Sequence, residues 1–136
     1  MYEYADRLDH GKADSVWELF TEDGVWTSPT VRSVGHADLR RYFMQRANMV
    51  DRITHHVVTN ITITVVNPDL ATGRSVAIEY RSDNPTGPVR SETAPAIVGD
   101  YHDTFVRTAD GWRFGERSVL VDFQRAGESF IVQERD

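Results

Sequence analysis

Cysteine is absent from this 136-residue chain, and that one omission removes a disulfide framework, a thiolate metal site and a cysteine nucleophile. A thiol-free composition suits a reducing compartment, so a cytoplasmic protein is expected. No apolar stretch approaches the roughly 18 residues that a bilayer-spanning helix needs, and no charged segment followed by an apolar run opens the chain. Runs of Lys and Arg are missing as well: the net charge of −6 is spread without a basic stripe, which withholds the clustered cations that a phosphate backbone requires. Neither nucleic acid nor a membrane is an expected partner. Glycine-rich phosphate loops, G-x-S-x-G elbows and G-x-G-x-x-G fingerprints do not occur, so nothing supports a nucleotide cofactor or serine-hydrolase chemistry. Internal repeats and low-complexity segments are also lacking.

What is present fits one domain over residues 1–136, since 40% hydrophobic content at this length can bury a core and a pocket. Two helical periods come first. Tyr2, Ala5 and Asp9 share one face, and after a break at Gly11 the stripe resumes at Ala13, Val16, Trp17 and Phe20. A short strand, GVWTSPT, stops at Pro29, and Leu39, Tyr42, Phe43, Ala47 and Val50 mark a third helix.

From Ile53 the period changes to two. ITHHVVTNITITVV is rich in Val, Ile and Thr and long enough for a strongly bent strand, NPDLATG reads as a turn, and SVAIEYRS as the next strand. DNPTGPVRSETAPA, with three prolines and a glycine, reads as a long loop of the kind that forms lids. AIVGDYHDTFVRT and WRFGERSVLVDFQ, joined at ADG, make a final hairpin. Helices first and antiparallel strands after them predict an α+β fold, a curved sheet wrapped on the helices with a hollow between the layers.

Asp9 closes the first amphipathic segment and His56 opens a β-branched run, and together they suggest a carboxylate-imidazole base. Histidine is the side chain best suited to take a proton near neutral pH, and a carboxylate on its far nitrogen sets the tautomer. An Asp close before Gly is also ordinary turn chemistry. Asp6 and Asp14 read as solvated charges, and Arg113 and Arg117 as surface or pairing groups. A metal set of His55 or His56 with His102 and Asp9 is formally available, but adjacent strand residues point oppositely, so no metal and no other cofactor is expected.

The pieces YEYADRLDHGKAD, LFTEDGVW, THHVVTN and DYHDTFVRTADGWRF resemble the SnoaL-like branch of the nuclear transport factor 2-like superfamily, over nearly the whole chain. That resemblance implies a cone-shaped, curved antiparallel or mixed sheet closed by three N-terminal helices around a pocket. The opening is similar to scytalone dehydratase, and Asp9 with His56-Val57-Val58-Thr59-Asn60 is similar to hexachlorocyclohexane dehydrochlorinase. Bile-acid 7α-dehydratase is a third relative. All three eliminate water or HCl from a ring, which implies that Asp9 and His56 form an Asp-His dyad and that Tyr4 polarises the substrate oxygen. SVAIEYRSDN carries no second histidine of the scytalone dehydratase pattern.

Local pattern bears on two choices. Alternation places His55 on the more apolar face with Ile53, Val57, Ile61 and Ile63, yet a pocket face needs mixed polarity, and the His-x-x-x-Asn spacing matches the relatives, which selects His56. Helical spacing sets Tyr4 about 140° from Asp9 and makes Tyr2 the better-placed ring. The expected pocket then comprises Tyr2, Trp26, Phe43, Asn60, Tyr101, His102 and Phe123. The expected activity is a cofactor-independent lyase or isomerase on a hydrophobic cyclic small molecule. Aldol closure of the polyketide-cyclase kind, and a non-catalytic binding module or dioxygenase small subunit, are the alternatives. A homodimer is expected through the stripe Val57, Ile61, Ile63 and Val65.

Overall fold

The computed structural model describes residues 2–83, 87 and 94–128. Its helices are α1 (Tyr2–Asp9), a 3₁₀ helix (Ala13–Leu19) and α2 (Gly35–Ala47). Its strands are β1 (Phe20–Thr27), β2 (Arg32–Val34), β3 (Ile53–Asn67), β4 (Leu70–Ser82), β5 (Ile97–Thr108) and β6 (Gly111–Gln124). They form one curved open sheet in the order β2-β1-β6-β5-β4-β3, antiparallel except for β1 with β6. The loop expected over DNPTGPVRSETAPA lies largely outside the described residues.

On α1 the buried stripe is Tyr4, Ala5 and Leu8, while Tyr2 is 67% exposed. The expected Tyr2 face is therefore corrected: Tyr4 and Leu8 stand one helical turn apart, bury more apolar surface than Tyr2 and Ala5, and choose the side that meets the sheet. The second helical period is shorter than expected. Ser15 N–H bonds the Lys12 carbonyl at 3.0 Å in 3₁₀ fashion, and Phe20 takes extended angles, φ −104° and ψ 153°, as the first residue of β1. Phe20 is buried all the same, by the sheet. The third helix stops at Ala47, and Val50, expected on its stripe, is 85% exposed.

The turn expected over NPDLATG contracts to Pro68 and Asp69, because Leu70 to Gly73 already pair with β3. Gly73 punctuates nothing; it makes room for Phe105 of β5, whose ring would lie 2.8 Å from a Cβ added there. Asn60, at φ 52°, sits where the β3–β4 register skips from Thr59–Val76 to Thr62–Arg74. Such a bulge bends the strand and reverses which residues face which side. Val57 therefore shares its side of the sheet with its partner Ile78, whereas Ile63 and Val65 pair with Gly73 and buried Ala71 on the opposite side. The expected stripe Val57, Ile61, Ile63 and Val65 is thus split. A continuous apolar row does cross the outer face, Val57–Ile78–Val98–Phe123, one residue from each of four strands.

The core lies between the inner sheet face and the helices, and includes Tyr4, Leu8, Val16, Phe20, Trp26, Leu39, Tyr42, Phe43, Tyr101 and Phe114. Arg117, read from sequence as a surface or pairing group, is fully buried in it. Its Nε and Nη2 donate to the two Asp103 oxygens at 2.8 Å each, and its guanidinium lies 4.4, 3.9 and 4.3 Å from the Tyr4, Tyr101 and Phe114 ring centres. Removing Asp103 alone would strand that cation and cost about 3–5 kcal/mol. Held by Asp103, the guanidinium supports the Tyr4 and Tyr101 rings from beneath.

Candidate active site

α1 ends at Asp9 and the chain turns away through Gly11, at φ 75°. The helix end lies against the start of β3, where Thr54 and His56 point inward and His55 is exposed. Three hydrogen bonds converge on the Asp9 carboxylate. Oδ1 accepts from His56 Nδ1 at 2.6 Å and from Thr54 Oγ1 at 2.8 Å, and Oδ2 accepts from the His56 backbone N–H at 2.8 Å. Burial pushes the Asp9 carboxyl up, but its bonds to His56 and Thr54 outweigh that and hold it below the usual carboxylate range. With the Asp9 carboxylate accepting a hydrogen bond from Nδ1–H, Nε2 is left as the acceptor nitrogen. The Asp9 side chain is only 7% exposed, and that of His56 11%.

Glu79 of β4 stands directly across from His56 in the strand pair, with its Oε1 3.8 Å from Nε2. Arg81, two residues on, donates to both Glu79 oxygens, Nε to Oε1 at 3.1 Å and Nη2 to Oε2 at 2.9 Å. It also bonds Glu128 at 3.2 Å, and Arg125 reaches that carboxylate at 2.6 Å. The imidazole is thus bracketed by two carboxylates, one on each nitrogen.

His56 opens onto a hollow of about 670 Å³, a volume that includes space open to solvent. Tyr4, Trp26, Tyr42, Phe43 and Tyr101 form its aromatic wall, and Arg46, Arg52, Glu79 and Arg81 its charged side. Trp26 Nε1 donates to the Tyr4 hydroxyl at 2.9 Å, which occupies an acceptor position on that oxygen and leaves its proton to donate. Burial pushes the Tyr4 hydroxyl up to about 12, with Arg117 and the Trp26 bond opposing the rise. Burial likewise raises Tyr42 and Tyr101. All three phenols are therefore neutral hydrogen-bond donors at neutral pH.

Of the residues expected from sequence, the structure brings Asp9 and His56 into contact and puts Tyr4, Trp26, Phe43 and Tyr101 on the cavity wall with His56. Four others are placed elsewhere. Tyr2 is on the solvent side of α1, and Asn60 is exposed at the bulge. His102 is exposed because its neighbours Tyr101 and Asp103 take the inward positions of β5, and Phe123 is 70% exposed on the outer sheet face. The 140° between Tyr4 and Asp9 proves no obstacle. Asp9 contacts His56 rather than the hollow, so the two need not point the same way.

Thr54, Glu79, Arg81, Arg46, Arg52 and Tyr42 escaped the sequence reading as site residues. Thr54 was legible as the residue two before His56 on the same face. Glu79 and Arg81 lie on the face of β4 opposite Val76, Ile78 and Tyr80, and alternation alone assigns the apolar face to the core; here the charged one is inside. Among the described residues no group of three or more His, Asp or Glu side chains is arranged to hold a metal ion, and no helix is long and apolar enough to cross a membrane.

Residues 1–118 match the SnoaL-like domain. No match was found among curated proteins. Among solved structures, the chain is similar to a candidate scytalone dehydratase from Novosphingobium aromaticivorans, with 22% identity over all of this chain and 89% of that one at a TM-score of 0.78. It is similar to an NTF2-like protein with a cystatin-like fold from the same organism, at 25% identity, 92% and 79% coverage and a TM-score of 0.74. It is also similar to the β subunit of a candidate aromatic-ring-hydroxylating dioxygenase from that organism, at 17% identity, 91% and 85% coverage and a TM-score of 0.76.

Proposed function

The chain belongs to the SnoaL-like domain family, and within it we propose a cofactor-independent, dehydratase-like lyase acting on a hydrophobic cyclic small molecule in a cytoplasmic setting. The observation that carries this reading is the bracketed imidazole: Asp9 on Nδ1 at 2.6 Å, and the ring itself on the wall of the aromatic hollow. In the proposed reaction His56 Nε2 takes a proton from a ring carbon next to a carbonyl. The electron pair moves into the ring as a halide departs from the adjacent carbon as the anion, or as a hydroxyl there takes the proton back from the His56 imidazolium and departs as water. Tyr4 donates a hydrogen bond to the carbonyl oxygen as charge builds there. Asp9 and Glu79 stabilise the imidazolium that results, and Arg81 holds Glu79 in place.

General-base catalysis of this kind supplies about 10²–10⁴-fold. The Tyr4 donor and the partly dry aromatic wall must contribute the rest. The proposed dyad is tested by following hydrogen–deuterium exchange at the ring carbon beside the carbonyl, by NMR in D₂O, across a panel of cyclic β-hydroxy and β-halo ketones. Exchange and elimination should disappear with His56→Ala and fall by about three to four orders of magnitude with Asp9→Asn, the fold being intact. Turnover by His56→Ala at the parental rate would sink the lyase reading and leave a ligand-binding module.

A further inference from the structure

Arg46 comes from the last turn of α2 and lines the hollow together with Arg52 and Arg81. The charges of its two neighbours are answered. Arg52 donates to both Asp83 oxygens, at 2.7 and 3.1 Å, and Arg81 to both Glu79 oxygens. Arg46 has no such partner: among the described residues no carboxylate stands within ion-pair distance of it. Both of its hydrogen bonds leave from Nη2, to the Leu8 carbonyl at 3.4 Å and to Thr54 Oγ1 at 3.3 Å. Those are long contacts, beyond the usual 2.7–3.2 Å. Nε and Nη1, three of the five guanidinium N–H groups, are left to a ligand or to water.

The surroundings make an anion the fitting guest. Burial first, then the like charge of Arg52 and, more weakly, of Arg81, lowers the Arg46 pKa, while Glu79 and Asp9 oppose the fall. A cation held at such a disadvantage gains from a negative group beside it more than a solvated one does. The rest of the hollow is aromatic. A ring seated against Trp26, Tyr42 and Phe43 can carry a carboxylate to Arg46 while a second part of the ring lies under His56.

We propose that Arg46 is the carboxylate anchor of the site, so that the substrate is a cyclic carboxylic acid rather than a neutral ring. This rests on the same hollow being the active site. The carboxylate serves as a handle, paired with the planar guanidinium fork as carboxylates commonly are. It does not activate the departing proton, which still needs the carbonyl that Tyr4 holds. Arg46 thus sets which molecules enter, and touches the reacting pair only through Thr54, which it shares with Asp9.

The test needs no knowledge of the natural substrate. Binding of naphthoate and of its neutral isostere naphthamide to the whole protein is measured by isothermal titration calorimetry. The acid should bind about tenfold more tightly or better, the worth of one charge-assisted pair. Arg46→Gln, checked for folding by circular dichroism, should bring the acid down to the level of the amide and leave amide affinity within about twofold; Arg46→Lys should restore part of the difference. Equal affinities in the parent protein, failure of the acid to bind at millimolar concentration, or an equal loss of both ligands in Arg46→Gln would each overturn the anchor. The last result would mean that Arg46 merely balances Asp9. The anchor is read from binding of the two naphthalene ligands alone and the proposed chemistry from exchange and elimination, so the two stand or fall separately.

Discussion

Glu79 faces His56 across the β3–β4 pair with its Oε1 3.8 Å from the imidazole Nε2, the nitrogen that Asp9 does not occupy. A carboxylate at that distance is too far for a hydrogen bond to the neutral ring but close enough to stabilise an imidazolium. The first prediction is that Glu79→Gln slows proton abstraction about tenfold while leaving substrate KM nearly unchanged, because it acts on the charged state alone. Steady-state kinetics on the exchange reaction decide it. A rise in KM with kcat intact would make Glu79 a binding residue.

Asp9 should make stability sensitive to acid. Its folded-state carboxyl lies below its ordinary value, so the stabilisation is present in full above the unfolded carboxylate range and is lost as pH falls through the lowered folded value. Denaturant unfolding at a series of acid pH values should show a decline in the parent protein that is shallower in Asp9→Asn. Parallel declines would show that the carboxylate is not what holds this corner.

Alkaline pH should act through the phenols. Burial raises Tyr4, Tyr42 and Tyr101 in the folded protein, so the folded state holds their protons more tightly than the unfolded chain, and stability falls as pH rises past the unfolded value of about 10. Phenolate absorbance of these three should appear together with unfolding rather than before it. Tyr4→Phe should leave the fold intact at a cost of about 1 kcal/mol for the lost Trp26 bond, and should lower kcat by removing the donor.

On the outer sheet face, Val57, Ile78, Val98 and Phe123 form an apolar row across four strands, with Val57 45% and Phe123 70% exposed. We expect a homodimer that buries this row. Phe123→Asp should then yield a folded monomer in sedimentation at micromolar concentration. A parent protein that is itself monomeric there would rule the dimer out.

How the site is built shows where sequence reasoning ran short. The helix spacing of α1 was visible, but two stripes competed for burial, and only packing against the sheet chose Tyr4 over Tyr2. On β3 the pairing of polar Thr54 with His56 marked the inward face correctly against a more apolar alternative. Beyond it, the bulge at Asn60 reversed the parity, and every residue assigned by alternation past that point changed sides. On β5 Tyr101 and His102 were both expected in the pocket, but successive strand residues face opposite ways, and Tyr101 and Asp103, the latter paired with buried Arg117, took the inward positions.

Local pattern was enough for the α+β class, the helical segments and the long bent strand from Ile53, because periodicity and turn residues are written in neighbouring positions, and the family resemblance pointed to the pairing of Asp9 with His56. The three-residue β2 was not legible, being too short to carry a period. Which face of each strand turned inward was decided only by the tertiary structure. β4 buries Glu79 and Arg81 and sends Val76, Ile78 and Tyr80 the other way, an inversion that is stable because Arg81 neutralises Glu79 two residues along the strand and Glu128 and His56 reach the pair from elsewhere in the chain. Hydropathy carries no information about a partner brought in from a distant strand, so a buried ion pair and an exposed one look alike until the chain has folded.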